Sequence, residues 1–442
     1  MNSVSLNGLG WDFYCTQIAA FLNAIGARCG QFAIAWWVLG KTGDPVAFSS
    51  FVAVATLADV LSRALFGWLG DQYHRQRLLA CCYGTSAAMT LILAMLSTLD
   101  VYQPLLIGLC LAVSGVSIGI RDPLQMSLTS SLVTSERLSD AVRLRSIVGS
   151  SSALMGPLAA GILLGPLGVL GTLWLNALAG LAALVLVLRV RVPVRAFTRD
   201  LQQAPYLVQW YQRTREGFSA LYKVKPEWSL SVLAFIVNFS LYPLFAVLFP
   251  ILINRYFPSD LWLIAVTEGA FAVGLLTGSL AWVARANRRW GRSNVVFAGF
   301  LLVGLTISGC GVFTHVFNLH PGWFAIITVP LLFIGGIGLV MVTVNTSTVR
   351  MLATPDSFRN RIGSATSFVS GMIIPFGTLF GGAFAGVFGV SYAMVILGVI
   401  VILATIPYMF SAELVRVLAM SDSQIKNAYK DFYPDAFPDG RW

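Results

Sequence analysis

The chain has 442 residues, 57% of them hydrophobic and 11% charged, with a net charge of +10. A soluble domain carries roughly 25% charged residues, so this chain holds more apolar surface than a globular core can hide, and a polytopic membrane protein is the class that remains. The apolar residues fall in runs of about 20 rather than in alternating stretches of about 10, which selects helices over a β-barrel.

Residues Met1 to Gly10 hold no Lys or Arg, and the first apolar run carries Arg28 inside it, so no cleaved leader is expected and the first span is retained. Twelve spans are predicted, at about 12–39, 46–69, 78–98, 103–121, 146–165, 170–188, 229–254, 261–284, 294–314, 322–346, 362–386 and 391–410. Each is near the roughly 20 residues that cross the hydrocarbon core at ~1.5 Å per residue. Between the sixth and seventh lies a basic segment with Pro193, Pro205 and Pro226 and an amphipathic stretch around Tyr206 to Tyr222. It reads as a linker resting on anionic headgroups. The expected organisation is a six-span half at 1–188, the linker at 189–228, a second six-span half at 229–410 and a polar cytoplasmic tail at 411–442.

The basic residues set the orientation. With both termini inside, one set of loops collects Arg75 and Arg77, then Arg137, Arg143 and Arg145, the linker cluster, Arg285, Arg288, Arg289 and Arg292, Arg350, Arg359 and Arg361, and the tail. The opposite loops hold only Lys41 and Arg255. That asymmetry accounts for the positive balance without a nucleic-acid partner. The six cysteines, Cys15, Cys29, Cys81, Cys82, Cys110 and Cys310, lie in apolar runs and read as small buried hydrophobes rather than a disulfide framework. The three histidines, His74, His315 and His320, show no metal-ligand spacing, so neither a metal nor a cofactor is expected.

An internal repeat supports two halves. Leu132-Val133-Thr134-Ser135-Glu136 parallels Leu352-Ala353-Thr354-Pro355-Asp356, and at the same offset Gly161 falls on Gly381. Gly67-Trp68-Leu69 has an echo in Gly278-Ser279-Leu280, but no acid there matches Asp71.

Two motifs carry chemistry. The loop between spans 2 and 3 reads Gly67-x-Leu69-x-Asp71-x-x-x-Arg75-x-Arg77, with a further glycine at Gly70. Its glycines allow close helix approach, and Asp71 suits a helix N-terminus, whose dipole favours an anion. Span 5 carries Gly156-Pro157-Leu158-Ala159-Ala160-Gly161, where Pro157 removes one backbone bond and bends the helix. The loop resembles the signature between helices 2 and 3 of the major facilitator superfamily, and the span-5 segment resembles the glycine-proline motif of its exporters. With Arg121-Asp122-Pro123, Ser135-Glu136-Arg137 and Pro355-x-x-x-Arg359-x-Arg361, the chain looks most like the drug- and siderophore-exporter branch, to which the enterobactin and macrolide exporters belong. The resemblance implies an all-α membrane protein of 12 transmembrane helices in two pseudo-symmetric halves, working by alternating access. It also implies that Asp71 meets the start of span 11, near Arg361, to lock the inward-closed state.

Ionisable residues inside spans are the clearest pointers to substrate and coupling. Asp59 and Arg63 are one helical turn apart and can pair. Glu268 has no basic neighbour within a turn, and a carboxyl buried alone is costly in its charged form, which suits proton binding. Glu268 and Asp59 are therefore the proton-coupling candidates, and Arg28 or Arg63 is expected to hold an anionic group. In the superfamily spans 1, 4, 7 and 10 line the cavity, so Asn23, Arg28 and Gln31, Arg121, Asn238 and Tyr242, the latter just before a break at Pro243, and Asn345 complete the substrate-binding candidates. The expected protein is a monomeric, multi-pass transporter of a bacterial inner membrane, using the proton gradient and no cofactor to export an amphiphilic, anionic small molecule such as a siderophore or antibiotic. Alternatives are an importer of a siderophore complex or metabolite, and a lysophospholipid flippase. A membrane-embedded enzyme would need a nucleophile, paired acids or metal ligands on facing spans, and the sequence offers no such set; a non-transporting receptor would not need Asp71 and the span-5 glycines.

Overall fold

The computed structural model describes residues 9–66, 74–133, 137–191, 206–316, 320–425 and 428–437. Among these residues the chain is helical with no strand. Ten helices among the described residues are long and apolar enough to cross a membrane, and Trp262–Thr277 is a shorter apolar one. The Cα packing divides the chain into two compact units, one made of Met1–Thr198 with Phe249–Gly269 and the other of Arg199–Leu248 with Ala270–Trp442.

The first unit opens with α1 (Trp11–Thr42), which ends where Gly43 takes a left-handed φ of 63° and donates its N–H to the Leu39 carbonyl at 2.8 Å. Then come α2 (Pro45–Phe66), α3 (Arg75–Thr98) and α4 (Pro104–Leu132), the last with proline in its first turn, where the missing N–H costs nothing. α2 packs on α4 where Gly119 permits it: a Cβ there would strike the Ser62 hydroxyl and the Asp59 carbonyl. α5 runs from Leu138 to Arg189 and bends at Gly168, whose φ of 62° and ψ of −173° leave the helical region. The two spans expected at 146–165 and 170–188 thus form one apolar run of 43 residues. At ~1.5 Å per residue such a run covers about 65 Å, twice the hydrocarbon thickness. Lys41 meets Asp100 at 2.6 Å, and Asp12 accepts the Arg191 N–H at 2.9 Å.

In the second unit α6 (Tyr206–Lys223) is the amphipathic linker helix. It is docked rather than free: Ala220 and Leu221 are buried, Gly217 lies against the Arg361 backbone, and Glu216 binds Arg361 at 2.5 Å. α7 (Lys225–Pro243) is not broken at Pro243 as the sequence suggests. It absorbs the missing donor in a π turn over Leu244–Leu248 and continues as α8 (Phe249–Tyr256), which belongs to the first unit. α9 (Trp262–Thr277) likewise passes through a π turn at Gly278–Trp282 into α10 (Val283–Trp290). α11 (Arg292–Val316) packs against α12 (Pro321–Ala353) and α15 (Val390–Met409), with α13 (Asp356–Met372) and α14 (Ile374–Phe388) between them in sequence.

The tail, expected as a plain polar extension, folds into α16 (Ala412–Ala419), α17 (Asp422–Ile425), α18 (Ala428–Phe432) and a short 3-10 turn at Pro434–Ala436. Its Tyr429 and Phe437 rings are buried, and Phe437 stands edge-on to Phe358 at 5.2 Å between centroids. All six cysteines are free; five are buried and Cys81 is exposed, against the expectation that each is an interior filler.

Candidate functional site

The first unit contains a cavity of about 530 Å³, large enough for a drug-sized molecule. Gln17, Ala20, Ala24 and Arg28 line it from α1, a spacing of three or four residues that presents one helical face. From α4 come Arg121, Asp122 and Gln125, and from α5 Arg145, Val148, Gly149, Ser152, Ala153 and Pro157. Glu268 of α9 completes the wall.

Arg28 and Glu268 meet as an ion pair, although 240 residues separate them. The Arg28 Nε also donates to Glu268 Oε2 at 3.2 Å, and its Nη1 donates to Gln31 Oε1 at 2.5 Å. Glu268 is 6% exposed, and its second oxygen, Oε1, is buried without a hydrogen-bond partner among the described residues. A buried acceptor left unsatisfied is uncommon and calls for an explanation. The span-5 motif produces this arrangement. A side chain at Gly156 would press on the Arg28 stem at 3.1 Å, and one at Gly161 would come within 2.7 Å of the Ala265 Cβ, one turn from Glu268. The two glycines therefore let α1 and α9 both close on α5, which corrects the expectation that Glu268 is buried alone.

A second charged group lies along α2 and α4. Arg63 donates to both Asp59 oxygens at 2.7 and 3.0 Å, as its one-turn spacing predicts, and to Asp122 at 3.0 Å. Arg121 lies 3.9 Å from Asp122 and 5.4 Å from the centre of the buried Tyr83 ring, whose hydroxyl accepts from Gln125 at 2.6 Å. Two acids and two arginines thus neutralise one another, and neither Arg28 nor Arg63 carries a free charge for an anion.

The remaining candidates divide. Asn23 is buried but off the face formed by Gln17, Ala20, Ala24 and Arg28. Asn238, Tyr242 and Asn345 belong to the second unit. There Asn238 donates to the Ser370 carbonyl at 2.8 Å, and Asn345 pairs its amide with that of Asn287 at 2.7 and 3.2 Å, which are helix-packing bonds. Tyr242 is 39% exposed. Gly67, Gly70 and Asp71 of the loop motif lie outside the described residues, while Arg75 is half-buried and Arg77 exposed. No group of three acids, histidines or cysteines among the described residues is arranged to hold a metal. Gln17, Gln125, Arg145 and Ser152 also line the cavity, although none of them stands out in the sequence as a binding residue. The signal was the small and polar stripe at helical spacing from Arg145 to Pro157, hidden because Arg145 also fits a basic inner loop.

The family model described as Major Facilitator Superfamily matches residues 17–267, more than half of the chain. The chain belongs to the major facilitator superfamily. Macrolide efflux protein A of Streptococcus pyogenes is 23% identical over 398 residues, covering 88% of this chain and 93% of that protein. The staphyloferrin A transporter of Staphylococcus aureus is 23% identical over 399 residues, covering 89% and 94%. Among solved structures, a POT family transporter in complex with 5-aminolevulinic acid superposes with a TM-score of 0.71 at 13% identity, covering 91% of this chain and 96% of that one. A bacterial homologue of the human lysosomal transporter Spinster, inward-facing and unoccupied, gives 0.68 at 16% identity, covering 94% and 98%. These structures are alike in fold. The protein is therefore a multi-pass membrane transporter of the major facilitator superfamily and not an enzyme. Its relatives place it near the drug- and siderophore-exporter branch, and its substrates are small molecules met within the membrane.

Proposed function

We propose that this major facilitator protein is a proton-coupled exporter of an amphiphilic, anionic small molecule across a bacterial inner membrane, acting as a monomer without a cofactor and with both termini in the cytoplasm. The names of its relatives, a macrolide efflux protein and a staphyloferrin A transporter, support export of an antibiotic or siderophore. The ten long apolar helices, the turn at Gly168 within a run long enough to cross twice, and the shorter Trp262–Thr277 support twelve spans in two six-helix halves. Alternating access about a central site follows from that architecture.

The observation that carries the reading is Glu268 on the cavity wall, with its Oε1 buried and without a partner among the described residues. Arg28 holds the other oxygen and fixes the carboxylate in place. The free oxygen then has two possible occupants: a hydrogen-bond donor of the substrate, or a proton. A proton there removes the negative charge and turns the oxygen into an O–H donor, so protonated Glu268 holds a substrate N–H or O–H less well than the carboxylate does, and this competition is what antiport requires. Asp59 is tied by both oxygens to Arg63 and is the weaker coupling candidate. By the resemblance of its loop, Asp71 is assigned the gate, and Asp71→Asn should slow turnover while leaving substrate binding.

The test is gradient-driven accumulation of a macrolide and of staphyloferrin A in proteoliposomes with an acid lumen. Wild type should accumulate at least one of them. Glu268→Gln should abolish accumulation while downhill movement continues, and accumulation that persists in Glu268→Gln would refute the coupling role.

A further inference from the structure

The cavity is lined by three arginines and two acids. Arg28 is paired with Glu268, and Arg121 faces Asp122 within the neutral group that includes Asp59 and Arg63. Arg145 is the remaining cation. It is half-buried on the wall, and no ion pair or hydrogen bond joins it to an acid among the described residues. A positive charge with no acid paired to it among the described residues, lining a partly desolvated cavity, attracts a negative charge strongly, because the low local dielectric raises its field.

Position adds a length to this charge. Gly156 lies against the Arg28 stem, and Arg145 stands ~16 Å further down the same helix. Along the α1 and α5 faces between them the lining residues include Ala20, Ala24, Val148, Gly149 and Ala153, which offer apolar surface and room. The cavity thus has Arg145 toward one end and Glu268 toward the other, with these small and apolar residues between them and Arg121, Asp122, Gln125 and Ser152 also on its wall.

We infer that Arg145 anchors the anionic head of the transported molecule, an amphiphilic monoanion with a hydrogen-bond donor at its far end. Arg145 thereby sets the preference for anions that the sequence alone assigns to Arg28 or Arg63. The inference rests on the reading that this cavity holds the substrate. A guanidinium fork matches a carboxylate or a phosphodiester alike, so the head group belongs either to a free organic acid or to a membrane lipid.

The probes are dansyl-leucine and dansyl-leucinamide, alike in shape and differing in charge, with binding read by fluorescence on the full chain in nanodiscs. Wild type should bind the acid about tenfold more tightly than the amide, the worth of one charge-assisted hydrogen bond. Arg145→Gln and Arg145→Met should bring that ratio close to one, Arg145→Lys should keep most of it, and Arg28→Gln should weaken both probes alike. Octanoate and lysophosphatidylglycerol are then added as competitors. Displacement of dansyl-leucine by the first alone marks a free acid and by the second alone a lipid, and in either case the displacement should vanish in Arg145→Gln. If Arg145→Gln and Arg145→Met keep the wild-type ratio, or neither competitor displaces the probe, the assignment is wrong. If wild type binds neither probe, the substrate cavity itself is misread, and the inference falls with it.

Discussion

Two Arg–Glu pairs among the described residues, each with a buried carboxylate, differ in what is left over. In the first unit, Arg28 binds one oxygen of Glu268, the other oxygen is buried with no partner among the described residues, and the residue lines a cavity. In the second unit, Glu227 at the start of α7 is fully buried, and both its oxygens are occupied: Oε2 accepts from Arg350 at 2.9 Å and Oε1 from the Tyr429 hydroxyl at 3.3 Å. The same two residue types thus build a site in one place and a fastener in the other. A satisfied buried network rigidifies its surroundings, whereas an unsatisfied acceptor keeps capacity for a proton or a ligand. The second pair ties α7, α12 and the tail helix α18 together, with Lys225–Glu413 at 2.9 Å and Lys223 on the Asp435 carbonyl at 2.9 Å beside it.

That contrast can be broken in four ways, in order of expected effect. Glu268→Gln should reduce gradient-driven accumulation to that of empty liposomes with little loss of melting temperature, since the amide still accepts from Arg28. Glu227→Ala should do the reverse. It leaves the half-buried Arg350 beside an empty acceptor site and should cost about 3 kcal/mol, read as a fall in thermal stability in nanodiscs, while transport per folded molecule is unchanged. Gly161→Val should cost about 2 kcal/mol by overpacking and also impair coupling, because it pushes Ala265 and with it Glu268 away from Arg28. A stability loss with intact coupling would show that the spacing of the pair is unimportant.

Tyr429→Phe should have the smallest effect, about 1 kcal/mol for one hydrogen bond, with a signature in alkali. Burial first, and then the neighbouring Glu227 charge, push the Tyr429 phenol well above its ordinary value of 10.0. The folded state therefore holds the phenolic proton more tightly than the unfolded chain does. Its contribution is complete below pH 10 and is lost as the pH climbs above that value. Melting temperature measured from pH 8 to pH 11 should fall less steeply in Tyr429→Phe than in wild type, and parallel curves would deny Tyr429 its place in the fastener.

Much of the architecture was legible in the chain because membrane helices are written in local composition. Apolar runs, basic loops, the amphipathic stretch from Tyr206 and the Asp59–Arg63 turn all rest on neighbours in sequence. Contacts between distant segments were not legible. Glu268 reads as solitary because its partner is 240 residues away, and only the packing of Gly156 and Gly161 brings Arg28 to it. Pro243 reads as a break because sequence does not reveal that a π turn absorbs the lost donor. The tail reads as an extension because its few apolar residues, Tyr429 and Phe437 among them, find their cover on helices far upstream. Arg145 reads only as an orientation charge for a different reason: a basic residue at the inner end of a span satisfies the orientation rule whether or not it also lines a cavity.

The central claim is that proton and substrate compete at the carboxylate of Glu268. The most direct measurement is proton release on substrate binding, followed by a pH indicator in weakly buffered nanodiscs at a pH where the acid is partly protonated. With whichever of the macrolide and staphyloferrin A the wild type accumulates, binding should release protons from wild type and none from Glu268→Gln. Equal release from both proteins, or none from wild type despite binding, would contradict the account.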